Sequence, residues 1–300
     1  MPVRNNNIWN DDGSGSACTY VTDDPKPNSN AFDVQWQWSG DPIVRGFPNV
    51  GLRTKALPVH VRDLRSLNIS AAWTLTPSSS GSDVSADDTS EPDGNALEDI
   101  GVETNVCLDV FADSDEARSL DFGDQKYEIM VWFAAFGGGA KPVGNTTPLS
   151  PPVVSMIQGT EFTLYSGTNT NGQTVLTWVA NRTLTTFDID VAPLFGLLAS
   201  KGLLPEEVYL GTVQFGTETF AAAEMVIFNV TSFNASIRTV QTERGLGNAT
   251  NSQSGGATTT DSGGLPIATQ VDATSGSARQ HSFLSITIVG ITSILAAMMT

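Results

Sequence analysis

The chain has 300 residues, with 32 Asp and Glu against 15 Lys and Arg and a formal net charge of −17. That excess repels a phosphate backbone and argues against nucleic-acid binding. Two cysteines, Cys18 and Cys107, and two histidines, His60 and His281, are too few and too scattered for a disulfide framework or a zinc site, so no metal or other cofactor is expected.

Residues 1–7 lack the positive and apolar regions of a secretory signal. Strand-like alternation then recurs at 31–38, 70–76, 104–112, 126–136, 161–165, 174–180, 209–215 and 225–233, with turn clusters between. Regular short strands without a βαβ pattern predict an all-β fold, one monomeric domain over 5–240, built as a sandwich or jelly roll of two antiparallel sheets. Residues 77–101 turn to Ser, Asp, Gly, Glu and Pro and read as a solvated acidic loop insertion; they lack the spacing of a calcium loop. One short helix is expected at 190–202, where Val191, Leu194, Phe195, Leu197 and Leu198 form an apolar stripe and Gly202 offers a stop; it should lie across the outside of a sheet.

Residues 241–282 are rich in Ser, Thr and Gly and cannot bury enough surface to offset chain entropy, so a flexible linker is expected. Residues 283–300 are uncharged and mostly apolar. With small residues at Thr274, Ser275 and Gly276 and a polar spacer, they match a glycosylphosphatidylinositol anchor signal more closely than a tail-anchored helix. Sequons at Asn68, Asn145, Asn181, Asn229, Asn234 and Asn248 fit passage through the secretory route to the cell surface. An exit address without an entry signal implies a preceding segment, in which a partner for Cys18 would lie.

The richest stretch is 127–136. On a two-residue period, Tyr127, Ile129, Val131 and Phe133 share one face, and Glu128, Met130, Trp132 and Ala134 the other. A lone strand Glu is ordinarily just solvated. Other segments raise its interest. Within 105–111, Val106, Leu108 and Val110 are core candidates, which leaves Asp109 on the side where Glu128 would sit if the strands are neighbours. Further on, a strand reads as ending at Gly216, with Glu218 sharing the parity of Gln214; near the start, Asn6-Asn7-Ile8-Trp9 carries an indole outside any apolar run.

Together these segments resemble glycoside hydrolase family 12, the small jelly-roll endo-β-1,4-glucanases and xyloglucanases. Asn6-Asn7-Ile8-Trp9 is similar to the family's Asn-Asn-Leu-Trp, and Trp36-Gln37-Trp38-Ser39-Gly40 to its Trp-x-Trp-Ser-Gly. Phe47-Pro48-Asn49 is similar to Tyr-Pro-Asn, residues 105–111 to Asn-Val-Ala-Tyr-Asp-Leu-Phe, 127–133 to Tyr-Glu-Ile-Met-Ile-Trp-Leu, and 216–220 to Gly-Thr-Glu-Pro-Phe. The resemblance implies Glu128 as nucleophile, Glu218 as general acid/base and Asp109 as the residue that tunes the nucleophile. It also implies Asn7, Trp9, Met130, Trp132 and Pro142 as contacts for a β-glucan substrate. Thr219 stands where the family has Pro, and Lys141-Pro142-Val143-Gly144 where it has Gly-Pro-Ile-Gly, which places loop shape beside the cleft in question.

A retaining glycosidase needs one ionised carboxylate to attack the anomeric carbon and one protonated carboxyl to release the leaving oxygen, so the two must differ in pKa. Asp109 beside Glu128 would either repel it or share its proton, and both remain open at this stage. Two other readings stand beside hydrolysis: a non-catalytic carbohydrate-binding or wall-structural jelly roll, and a transglycosylase. The carboxylate pair speaks against pure binding.

Overall fold

The computed structural model describes residues 3–21, 30–78, 91–121 and 123–241. The anchor-like run and all but the first residue of the linker lie outside the described residues, as do residues 79–90 of the acidic insertion.

The strands, in chain order, are β1 (Val3–Asn5), β2 (Gly15–Tyr20), β3 (Phe32–Trp38), β4 (Asn49–Gly51), β5 (Val59–His60), β6 (Leu64–Pro77), β7 (Glu103–Asp113), β8 (Tyr127–Phe136), β9 (Val154–Ile157), β10 (Thr160–Thr168), β11 (Thr174–Ala180), β12 (Thr186–Asp190) and β13 (Tyr209–Thr239). They form a jelly roll of two sheets. The first runs β1-β4-β13-β7-β8-β11-β10-β9, with β5 on the start of β13. The second runs β12-β6-β13-β3-β2. Pairing is antiparallel except between β8 and β11, which are parallel, so the expectation of two purely antiparallel sheets is corrected.

β13 belongs to both sheets. Its first part pairs with β7 up to Ala221, and its second with β3 from Ala222 and β6 from Val226. The register slips between Ala222 and Val226, and a bulge of this kind bends a strand enough to pass from one sheet to the other. The strand expected to end at Gly216 therefore continues through Glu218. Gly216 marks a close approach instead, because a Cβ there would sit 2.1 Å from the Pro48 carbonyl oxygen just before β4.

Alternation builds the core between the sheets. Val106, Leu108 and Val110 of β7, Ile129, Val131 and Phe133 of β8, and Leu176 and Trp178 of β11 meet Trp36, Ile69, Trp73 and Phe228 of the second sheet, all buried. Phe133 stacks on Phe187 at 4.2 Å between ring centroids and Phe215 on Phe233 at 5.0 Å, both pairs bridging the sheets. Each such side chain contributes about 1.5–3 kcal/mol by burial, and a well-placed ring pair roughly 0.5–1.5 more.

Three short helices occur among the described residues, where one was expected: α1 (Gly94–Asp99), α2 (Glu116–Ser119) and α3 (Ala192–Ser200). α3 is the expected helix, trimmed at both ends; it packs on β6 through the fully buried Leu194, Phe195 and Leu198. α1 lies inside the stretch read as a loop insertion. The Asp93 side chain caps it by accepting from the N–H groups of Asn95 and Ala96, and Leu97 enters the core. A single apolar residue in a polar run leaves no period to read, which is why the sequence concealed it.

Candidate active site

Three adjacent strands of the first sheet, β13, β7 and β8, turn one parity inward and the other away from the core. On the outer face, Gln214 pairs with Asp109 and Asp109 with Met130; Gly216 pairs with Cys107 and Cys107 with Trp132; Glu218 pairs with Asn105, and Glu128 with Phe111. Asp109, Glu128 and Glu218 therefore share one face, as strand parity led us to expect. The parallel partner β11 extends it with Val175 beside Glu128 and Thr177 beside Met130.

The floor of this face is a second, smaller apolar cluster of Phe47, Cys107, Met130, Trp132 and Val175, with Val143 and Val179 against it. Met130 and Trp132 were expected to line sugar subsites. They do lie on the carboxylate face, but are only 4% and 2% exposed, and the Trp132 indole N–H donates to the Met130 Sδ at 3.3 Å. They support the site from below; neither offers an open stacking surface. Trp9 does, being half exposed at 50%. Its N–H and that of Asn10 both donate to the Arg45 carbonyl, and the Arg45 guanidinium pairs with Asp12 at 2.5 Å. Asn7, with φ of +41°, accepts the Phe47 N–H at 2.9 Å, and Ile8 bridges to Gly46, which bridges to Thr219. The Asn6–Trp9 segment is thereby tied to the strand position next to Glu218. Pro142 is half-buried in the loop that carries Val143.

Each glutamate is held by an amide. Asn105 donates from Nδ2 to Glu218 Oε2 and accepts the Glu218 backbone N–H on Oδ1 at 3.3 Å, so its orientation is dictated from both ends. Asn169 accepts the N–H groups of Asn171 and Gln173 on Oδ1, both at 3.0 Å, which aims Nδ2 at Glu128 Oε2, 3.1 Å away. Neither amide was singled out in the sequence. Asn105 sat unremarked in the Asp109 motif, and Asn169 lies in a Thr-Asn-Thr-Asn-Gly stretch whose composition signals only a turn.

The electrostatics follow from three acids against an apolar floor. Burial pushes the Glu128 carboxyl up to about 7, with the Asn169 hydrogen bond opposing. Burial first and the charge on Glu128 second push Glu218 up to about 7, with the Asn105 hydrogen bond opposing. Asp109 is raised well above the carboxylate range, first by burial and then by repulsion from Glu128 and Glu218; its Oδ1 has no hydrogen-bond partner. Beneath them the Cys107 thiol is raised by burial and by the same three charges, which keeps it neutral. The question left open between repulsion and proton sharing is thus answered first by desolvation. Among the described residues, no group of three or more His, Cys, Asp and Glu is placed to hold a metal ion.

Thr219, which stands where the resembling motif has proline, is tied into the strand beside Glu218 by its own hydrogen bonds. Its hydroxyl accepts the buried Trp38 indole N–H at 3.1 Å, its N–H donates to the Gly46 carbonyl at 3.0 Å, and its carbonyl accepts the Arg45 N–H at 2.8 Å. Proline could supply neither the hydroxyl nor the N–H.

Comparison with known proteins identifies the family. The family model of glycosyl hydrolase family 12 matches residues 91–238. The chain is 33% identical over 237 residues to a probable xyloglucan-specific endo-beta-1,4-glucanase A of Aspergillus flavus, covering 77% of this chain and 83% of that protein. It is 31% identical to the xyloglucan-specific endo-beta-1,4-glucanase A of Emericella nidulans, covering 77% and 84%. Among solved structures, the fold is similar to endoglucanase 3 of Trichoderma harzianum, with a TM-score of 0.60 and 27% identity over 78% of this chain and 90% of that one. It is also similar to the Humicola grisea Cel12A catalytic domain soaked with a thio cellotetraose, with a TM-score of 0.62 and 26% identity over 78% and 92%. Relatives of that identity and coverage place the chain in glycosyl hydrolase family 12, as a glycosidase.

Proposed function

We propose that this glycosidase cleaves the β-1,4-glucan backbone of xyloglucan at internal bonds by double displacement, with Glu128 as nucleophile and Glu218 as general acid/base. The observation that carries this reading is that Glu128 and Glu218 share the outer face of one sheet, each held by an asparagine amide. Burial is the first cause that raises both carboxyls to about 7, the charge on Glu128 adds to the rise of Glu218, and the Asn169 and Asn105 hydrogen bonds oppose it at Glu128 and Glu218 respectively. With Glu128 ionised as nucleophile, its charge favours the protonated form of Glu218, the combination a retaining hydrolase needs, and the roles themselves follow the resemblance of the two motifs to the family's.

In the first step the Glu128 carboxylate attacks the anomeric carbon while the glycosidic bond breaks, and the Glu218 proton passes to the leaving oxygen. In the second, Glu218 takes a proton from water, the water oxygen attacks the anomeric carbon, and Glu128 leaves as carboxylate. Asn169 and Asn105 hold the two groups through both steps. Trp9, exposed at the end of the face near Glu218, suits stacking on a pyranose ring. The xyloglucan preference rests on the named relatives.

Hydrolysis followed by proton NMR should show the β-anomer of the product first. Glu128→Gln should remove nearly all turnover while substrate still binds, because an amide cannot form the covalent intermediate. Glu218→Ala should be milder on an activated aryl glycoside, whose leaving group needs no proton, than on xyloglucan. An initial α-anomer sinks the assignment. We further propose, on the tail composition, that the hydrolase works at the cell surface on a glycosylphosphatidylinositol anchor. Release from membranes by phosphatidylinositol-specific phospholipase checks this, and a peptide from 283–300 in purified surface protein overturns it.

A further inference from the structure

The loop between β8 and β9 begins with three glycines, Gly137, Gly138 and Gly139, that have no side chains of their own with which to hold a shape. An acidic side chain from the neighbouring strand holds them. The Glu103 carboxylate accepts three consecutive backbone N–H groups: Gly138 on Oε1 at 3.1 Å, and Gly139 and Ala140 on Oε2 at 2.6 and 3.0 Å. The fit requires glycine at positions 137 and 139, while Gly138 has room for a Cβ. Gly137 has φ of +82°, and a Cβ there would lie 2.2 Å from Glu103 Oε2; a Cβ on Gly139 would lie 2.8 Å from Pro42.

The far end of the same loop is seated on the carboxylate face. A Cβ on Gly144 would meet the Ser166 carbonyl oxygen at 2.0 Å, and one on Gly167 would meet Val143 Cγ1 at 2.7 Å. Gly167 pairs with Val175, which pairs with Glu128, and Val143 packs against the floor cluster of Met130 and Trp132. Glu103 itself is two residues before Asn105, which holds Glu218. The loop thus leaves β8, is clamped at its start to β7, whose Asn105 holds Glu218, and ends seated beside Val175, the neighbour of Glu128, as a wall of the site. It has one ionic clamp.

We propose that Glu103 is a positioning residue for substrate: its carboxylate sets the 137–144 wall and so governs how a glucan chain seats against Glu128 and Glu218, without itself touching sugar. Hydrogen bonds to a charged acceptor are about twice as strong as neutral ones, and small displacements of a substrate-positioning segment are costly to binding and alignment. This assignment rests on the hydrolase reading, so its test includes a measurement that does not.

Hydrogen exchange of the Gly138, Gly139 and Ala140 amides should quicken by at least about tenfold in Glu103→Ala and by less in Glu103→Gln, which keeps one acceptor oxygen, while core amides of β7 and β8 keep their protection. On xyloglucan, KM should rise about 3- to 10-fold in Glu103→Gln with kcat within about twofold, and Glu103→Asp should recover part of the loss. Unchanged exchange in Glu103→Gln overturns the clamp. Altered exchange with unchanged KM, or a fall in kcat at unchanged KM, overturns its role in seating substrate. If Glu103→Ala fails to fold, Glu103→Gln and Glu103→Asp carry the test. Were the wild-type protein to cleave no glucan, the hydrolase reading would fall and the exchange result would still decide the clamp.

Discussion

At the scale of single residues, the site is governed by what surrounds each carboxyl more than by its identity. Asp109, Glu128 and Glu218 are ordinary acids placed over Met130, Trp132, Val175 and a neutral thiol. In that setting the first cost is desolvation of charge, and burial pushes Asp109, the most buried of the three residues, toward its protonated form. A neutral Asp109 makes a clear prediction for Asp109→Asn, whatever happens to kcat. The acidic limb of the kcat/KM profile, set by ionisation of Glu128, should move by less than about half a unit, because no charge has been removed. An ionised Asp109 would have held the Glu128 pKa up, so a shift of that limb to lower pH would refute the neutral assignment.

At the scale of elements, legibility tracked periodicity. The strands that carry the three acids were read from alternation because each has one face in the core, and a period of two is then imposed by packing. The short strands β1, β4, β5 and β9 span two to four residues, too few for any alternation to show. β13 was read as separate pieces because its side chains serve two sheets on either side of a bulge, which breaks the period at the bend. In α1 one buried residue, Leu97, anchors a turn whose other side chains are polar. Asn169 reaches Glu128 from a hairpin turn. Its role depends on where that turn lands, and local sequence does not record this.

At the scale of the whole molecule, the site weakens the fold that supports it. Glu128 and Glu218 titrate near 7 in the folded protein against 4.5 ordinarily. Between those values the folded state holds more protons than the unfolded chain, so stability is full below about pH 4.5 and is lost as pH rises through about 7. Each group accounts for at most about 3 kcal/mol, and the two are coupled, so the cost at alkaline pH is a few kcal/mol in total. Glu218→Gln has no such charge to bury. Relative to wild type, its Tm should be equal or lower near pH 4.5 and higher by several degrees near pH 8, as followed by thermal unfolding. A Tm difference independent of pH would show that Glu218 is not raised in the folded state.

The sequence alone determined the fold class, the face on which Glu128, Asp109 and Glu218 lie, and the family, because strand parity and ordered motifs are written locally and survive without coordinates. Only the tertiary structure decided that Met130 and Trp132 lie beneath the site, that Asn169 and Asn105 hold the two glutamates, and that Glu103 clamps the glycine loop. Each of these depends on groups 35 or more residues apart, or on depth below a surface, with Asn105 and Glu218 lying 113 positions apart. Burial and long-range hydrogen bonding are properties of the packed sheets, and no period within a segment encodes them.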